Sequence, residues 1–259
     1  MRCGISTACL YPLDTLEALR QVAALGAPVA EIFINSTGEL APPQVAGFGA
    51  VAHAAGMDIV SVHPYESPLE NIWFATPYHP RVQDGIRVYS AYFAACRALG
   101  ARFFVLHGMN MMNNGLSLEE YADHLVELID AGRDYGVQIC LENVAYCKLG
   151  APENVRWMKE RLGERASFVL DIKQMLRYGA GQAAMLAAME GHIAHVHISD
   201  SSPGMDCLAP GRGEFDFLAL LRELRTQGYQ GDLVIELYRD GYGRPEELKT
   251  AMEYINSLL

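Results

Sequence analysis

Short apolar runs alternate with longer amphipathic stretches from one end of the chain to the other. The runs Cys3–Thr7, Val29–Asn35, Asp58–His63, Arg102–His107, Val137–Glu142, Ser167–Asp171, Ile193–His197 and Asp232–Leu237 are too short for helices and read as buried strands. Each is followed by a segment of helical spacing: 14–26, 42–56, 81–100, 117–136, 151–163, 181–191, 215–228 and 246–258. The helix ends carry matching punctuation. Asp14 is placed to cap the first helix, Pro42 opens the second and Gly56 closes it, and Ser117 with Glu120 forms a capping-box pattern. Three connections read as loops: 66–80, with Trp73, Phe74 and Tyr78 among prolines as a lid or wall; the Gly/Asn/Met-rich 108–116; and the Ser/Pro/Gly-rich 200–214.

Strands that alternate with helices predict a parallel sheet. Eight such units within 259 residues, with no linker, repeat or low-complexity break, predict an α/β fold, one (β/α)8 TIM barrel spanning 1–259 as a single domain. An open doubly wound sheet would carry a glycine-rich phosphate turn after its first strand, and here Gly4 and Gly26 stand alone.

The ends of these runs are polar. In the stretch Gly191–Asp200, GHIAHVHISD, the alternation puts Ile193, His195 and His197 on one side of an extended strand. Six of the eight runs finish in residues suited to metal or acid/base work: His63, His107, Glu142, Asp171, His197 and Glu236. Taken singly, such a residue is more often a hydrogen-bonded core histidine or a cap than a ligand. Taken together they matter, because a closed barrel brings the C-terminal ends of all its strands to one mouth. Three carboxylates gathered there repel, by about 4 kcal/mol per pair at ~4 Å with an effective dielectric near 20, and either protons or a cation must relieve it. Glu142, Asp171, Glu236 and a neutral His197 make a nitrogen and oxygen donor set that suits Mn²⁺, Co²⁺, Zn²⁺ or Mg²⁺.

Composition narrows the classes further. A formal charge of −11 and a pI near 5.2 count against nucleic acid as a partner, because that affinity rests on Lys and Arg; small anionic substrates stay open. None of the six cysteines sits in a CxxC pair, which predicts reduced core thiols. No basic-then-apolar leader and no apolar run of ~18–20 residues is present, so the expectation is a cytoplasmic protein without a membrane partner.

The segments VHPY (62–65), VLHG (105–108), LENV (141–144), VLDIKQ (169–174), HVHISD (195–200), PGRGEFDF (210–217) and VIELY (234–238) resemble, in this order, the xylose isomerase-like barrels. That superfamily holds sugar and sugar-phosphate isomerases and epimerases, and also the endonuclease IV type of abasic-site nuclease. The resemblance implies one divalent ion held by Glu142, Asp171, His197 and Glu236, with His195 as a competing, deeper candidate read as core. Two positions depart from the pattern. Gln174 stands where relatives have a histidine three residues after the strand-six Asp, and Cys207, after Asp206, stands where the nuclease has another. Both changes weaken the nuclease reading.

The leading expectation is therefore a metal-dependent sugar or sugar-phosphate isomerase or epimerase that works through proton abstraction and a metal-stabilised enediolate. Glu142 and Glu236 are the acid/base pair, able to reach opposite faces of a carbohydrate substrate. His63, His107, Lys173, Gln174 and Arg212 are candidate substrate contacts. Each has a plainer alternative: rim hydrogen bonds for the histidines, a solvated loop for Lys173, and an ion pair with Glu214 for Arg212. Tyr11, Trp73 and Phe74 are candidate sugar-stacking walls. A polyol or inosose dehydratase on the same barrel is the main alternative reaction, and a non-catalytic binding barrel a further one. The resemblance also leaves a homo-oligomer open.

Overall fold

The computed structural model describes all 259 residues. Eight strands, β1 (Cys3–Ser6), β2 (Val29–Ile34), β3 (Asp58–Pro64), β4 (Phe103–Leu106), β5 (Gln138–Glu142), β6 (Phe168–Asp171), β7 (Ile193–Ile198) and β10 (Leu233–Ile235), close into a barrel. Every adjacent pair around the order β1-β10-β7-β6-β5-β4-β3-β2 is parallel, and the chain is a single-domain TIM barrel. The strands are buried on both faces, which is why they read as near-continuous apolar runs. At Gly4 a Cβ would sit 1.9 Å from the Val29 carbonyl oxygen, so only glycine allows this close approach beside β2.

The outer ring is made by α1 (Thr15–Ala24), α2 (Pro42–Ala55), the one-turn α3 (Glu70–Trp73), α4 (Pro80–Leu99), α5 (Leu118–Arg133), α6 (Pro152–Leu162), α7 (Ile172–Tyr178), α8 (Gln182–Met189), α9 (Phe217–Thr226) and α10 (Glu246–Leu258). The predicted caps are present. The Asp14 carboxylate accepts from the Leu16 and Glu17 N–H groups, Ser117 and Glu120 form the reciprocal capping box, and Gly56 ends α2 at φ 62°.

Three connections differ from their sequence reading. After β6 the chain does not stay extended: the Asp171 carboxylate accepts from the Gln174 N–H at 2.8 Å and starts α7 at once. The segment 200–214 contains an antiparallel hairpin, β8 (Asp200–Ser202) and β9 (Met205–Leu208). Its return is gathered by the buried Asp200 carboxylate, which accepts from the N–H groups of Ser201, Gly211, Gly213 and Phe215 at 2.8–3.0 Å. The third connection, 66–80, is pinned rather than open. Phe74 is fully buried 5.8 Å from the Tyr89 ring of α4, and Trp73 meets the same ring edge-on at 5.5 Å. Trp73 and Phe74 are therefore packing anchors, not sugar walls.

Candidate metal centre

Glu142 ends β5, Asp171 ends β6, His197 is the next-to-last residue of β7, and Glu236 follows β10. Cross-strand register sets their heights, with Asp171 directly opposite His197. One ligand atom from each of the four lies within 4.8 Å of the others. His197 Nδ1 is 3.7 Å from Asp171 Oδ2, 3.7 Å from Glu236 Oε2 and 4.0 Å from Glu142 Oε1. All four residues are buried at the barrel mouth.

Two atoms of this cluster, His197 Nδ1 and Glu142 Oε2, are buried with no hydrogen-bond partner. A buried polar atom left without a hydrogen bond costs about 1–3 kcal/mol. A cation among these donors would pair both atoms at once, and the set of three carboxylates and one imidazole fits a borderline or hard divalent ion.

Beneath the cluster lies a residue that the sequence reading passed over. Glu31, in the middle of β2, is fully buried inside the barrel. Its carboxylate accepts from Ser6 Oγ at 3.0 Å, Ser61 Oγ at 2.8 Å and His197 Nε2 at 3.0 Å. The proton on His197 Nε2 is thereby fixed and Nδ1 is aimed at the three acids, an arrangement in which a carboxylate orients a ligand imidazole. His195 sits one layer down, with Nε2 3.1 Å from Ser61 Oγ and 3.4 Å from Glu31 Oε2. The signal was a lone acid inside the apolar run VAEIFI.

The other predicted residues divide. His63 and His107 reach the centre from the β3 and β4 side. Their Nε2 atoms are 3.1 Å apart, and they approach Glu142 Oε2 at 3.8 and 3.2 Å, so these three form a second grouping with potential ligand geometry. Lys173 is buried, not a solvated loop residue. The first turn of α7 brings its Nζ to 2.8 Å from Glu236 Oε2 and 3.4 Å from Asp171 Oδ2. Gln174 is buried beside them, and its side-chain carbonyl accepts from the Ala145 N–H at 3.1 Å. Arg212 is not brought to the centre. It is exposed and pairs with Glu247 at 3.2 Å, not with Glu214. The fold places it on the outer turn that Asp200 gathers. Asp206, next to Cys207, is held by Arg177 in a two-point ion pair. Cys207 Sγ accepts from the Tyr238 N–H at 3.3 Å.

Electrostatics follow from this crowding. Burial pushes the Glu142 carboxyl up, but His107, His63 and His197 outweigh it and hold it well below the usual range. For Asp171 burial wins and the carboxyl is raised. Burial would lower Lys173, yet Asp171 and Glu236 keep its ammonium charged. Above Lys173 and Glu236 a cavity of about 440 Å³ opens at the mouth, walled largely by Tyr11, Phe33, Tyr65 and Tyr238.

A family model described as a xylose isomerase-like TIM barrel matches residues 19–258. An uncharacterised protein of Mycobacterium leprae is 24% identical, over 97% of this chain and 94% of its own length. The inosose isomerase of Bacillus velezensis is 27% identical over 184 residues, 65% of this chain and 66% of that protein. Among solved structures, the D-psicose 3-epimerase of Clostridium cellulolyticum H10, determined with D-tagatose, superposes with a TM-score of 0.83 over 100% of this chain and 99% of that one. At 16% identity that likeness speaks for the fold alone.

Proposed function

The chain belongs to the xylose isomerase-like TIM-barrel family, and from that premise we propose that it is a divalent-metal-dependent sugar isomerase or epimerase. The observation that carries the reading is the convergence of Glu142, Asp171, His197 and Glu236, with two buried atoms that make no hydrogen bond. These four residues would hold the ion, which when bound supplies Lewis-acid polarisation of a substrate carbonyl and so acidifies the neighbouring C–H. The names of an inosose isomerase and a D-psicose 3-epimerase among the similar proteins support a polyhydroxy ketone as the substrate class.

The chain's own residues then have distinct tasks. Glu142, kept ionised by its imidazole neighbours, takes the proton from the carbon next to the carbonyl. Glu236, on the far side of β6 and β7, returns a proton from the other face in an epimerase, and Lys173 Nζ at 2.8 Å holds its carboxylate in place. His63 Nδ1 donates to the Pro64 carbonyl at 3.0 Å, which turns Nε2 toward the centre and toward substrate hydroxyls. A nuclease reading has no such support: Gln174 and Cys207 are tied to backbone amides, and neither joins a ligand grouping.

The test is proton exchange. Protein supplied with Mn²⁺ or Co²⁺ in D₂O should incorporate deuterium next to the carbonyl of a ketose, and metal-depleted protein should not. Glu142→Gln and Glu236→Gln should each lower that exchange by ~10²-fold or more, the scale of a lost acid/base group. Exchange at the wild-type rate in either variant would overturn that residue's role. A product lighter by one water would identify a dehydratase instead.

A further inference from the structure

We propose that the mouth cavity selects an unphosphorylated ketose carrying a second ring, a glycosyl substituent, over both the free ketose and its phosphate. This rests on the isomerase or epimerase reading and names the substrate class for it. The cavity of about 440 Å³ touches the metal centre only at its floor, through Glu236 and Lys173. From there it runs sideways over the ends of β1, β2 and β3 and the segment after β10. Volumes of roughly 300–1,000 Å³ house ligands of drug size. A hexose, with twelve heavy atoms, is smaller than that and leaves the lateral part unfilled.

The lining of that lateral part is the second argument. Its walls are Phe33, Tyr11, Tyr65 and Tyr238, and the last three expose 59%, 40% and 49% of their surface. Tyr238 is held in place by cations, with Lys173 4.9 Å and Arg177 5.1 Å from the ring centroid, and its hydroxyl accepts from Arg177 at 3.1 Å. Aromatic walls suit the C–H face of a pyranose ring. An open, hydroxylated sugar arm fares worse there, because each hydroxyl taken from water without a partner costs about 1–3 kcal/mol. Asn35 offers compensation for one hydroxyl at most, through its carbonyl, since its amide nitrogen already donates to Thr15 Oγ1 at 2.9 Å and the Phe33 carbonyl at 3.3 Å.

The cations argue against a phosphate. Lys173 is engaged by Glu236 and Asp171. Arg239 donates to the Tyr242 and Gly243 carbonyls, both at 3.1 Å, with its guanidinium 4.8 Å from the Tyr242 ring centroid. Arg177 is held by Asp206 and Arg212 by Glu247. A dianion entering this space would face Glu236, would have to break an ion pair to reach Lys173 or Arg177, and would have to displace two carbonyl hydrogen bonds to reach Arg239 at the cavity edge.

The comparison that decides uses one reacting ketose with three substituents. D-Fructose, D-fructose 6-phosphate and glucosyl-fructoses linked through O4, O5 or O6 are each offered to the Mn²⁺-loaded protein in D₂O, and exchange at C1 and at C3 is followed by NMR. At least one glucosyl-fructose should show a kcat/KM at least tenfold above fructose, with the phosphate below fructose. Equal or better exchange with fructose or its phosphate overturns the proposal while leaving the isomerase or epimerase reading standing. No exchange with any of them removes both. Tyr65→Ala should reduce the ratio of glucosyl-fructose to fructose by about tenfold. An equal loss on both would show that the wall does not select, and would overturn the proposal as well.

Discussion

Glu31 illustrates how much a single buried charge decides. A carboxylate with no exposed surface is tolerated inside a barrel only when it is fully hydrogen-bonded, and Ser6, Ser61 and His197 supply those bonds. Burial alone would raise its carboxyl, but the charge of His197 and the hydrogen bonds of His195 and His197 hold it well below the usual range. Because His197 Nε2 is committed to Glu31, Nδ1 is left facing Asp171, Glu236 and Glu142. Replacing Glu31 with Gln keeps the volume and leaves one acceptor, but it weakens the hold on the imidazole. Mn²⁺ affinity, titrated by calorimetry or by the EPR signal of the free ion, should then fall about 10–100-fold. Unchanged affinity in a folded Glu31→Gln protein would show that Glu31 only fills the barrel interior.

At the scale of elements, the segment between β3 and α4 shows why part of the fold was illegible. The carboxyl of Glu70 accepts from the Tyr89 hydroxyl at 2.9 Å and the Gly108 N–H at 2.5 Å, and Glu66 accepts from the Tyr92 hydroxyl. Burial pushes Glu70 from 4.5 up to about 7, against the opposing pull of His107 and of these hydrogen bonds. Below pH 4.5 the group is protonated both folded and unfolded and contributes nothing to pH dependence. Between 4.5 and 7 the unfolded chain releases the proton that the folded chain keeps, so stability falls as pH rises, by on the order of 3 kcal/mol in full. Urea unfolding of wild type and Glu70→Gln at pH 5 and pH 8 should show the variant gaining relative to wild type at the higher pH; a constant difference would refute the assignment. The eight barrel strands and their helices were legible because a parallel barrel writes itself as apolar runs, caps and glycine stops. The ends of those runs exposed Glu142, Asp171, His197 and Glu236 for the same reason. The roles of Trp73, Phe74, Glu70 and Lys173 were not, because each depends on a partner distant in the chain: Tyr89 for the first three, Glu236 for the last. Lys173 also needed a local turn into α7, which Asp171 triggers by capping, and alternation along a strand gives no hint of it.

For the molecule as a whole, the centre joins the ends of β5, β6 and β7 to the segment after β10, so it ties together consecutive neighbours along half of the barrel circuit. The chain already carries a net charge of −11, and Glu31, Glu142, Asp171 and Glu236 concentrate part of it in one buried region. Without an ion, Lys173 and the imidazoles carry the compensating charge. A divalent ion bound only by the folded chain stabilises it by mass action, by about 2.7 kcal/mol at a hundredfold excess over Kd. For a chain of this size that corresponds to a rise in Tm of roughly 5–10 °C. The rise should shrink as pH falls, since protons compete for the same carboxylates and imidazole. Asp171→Asn removes one ligand charge while its side-chain oxygen can still accept the Gln174 N–H that starts α7, so the variant should fold but lose most of the Mn²⁺-dependent rise in calorimetry. If wild type and Asp171→Asn instead melt at temperatures equally insensitive to Mn²⁺, the four residues are not an ion-binding centre, and the acid/base assignment built on them loses its foundation.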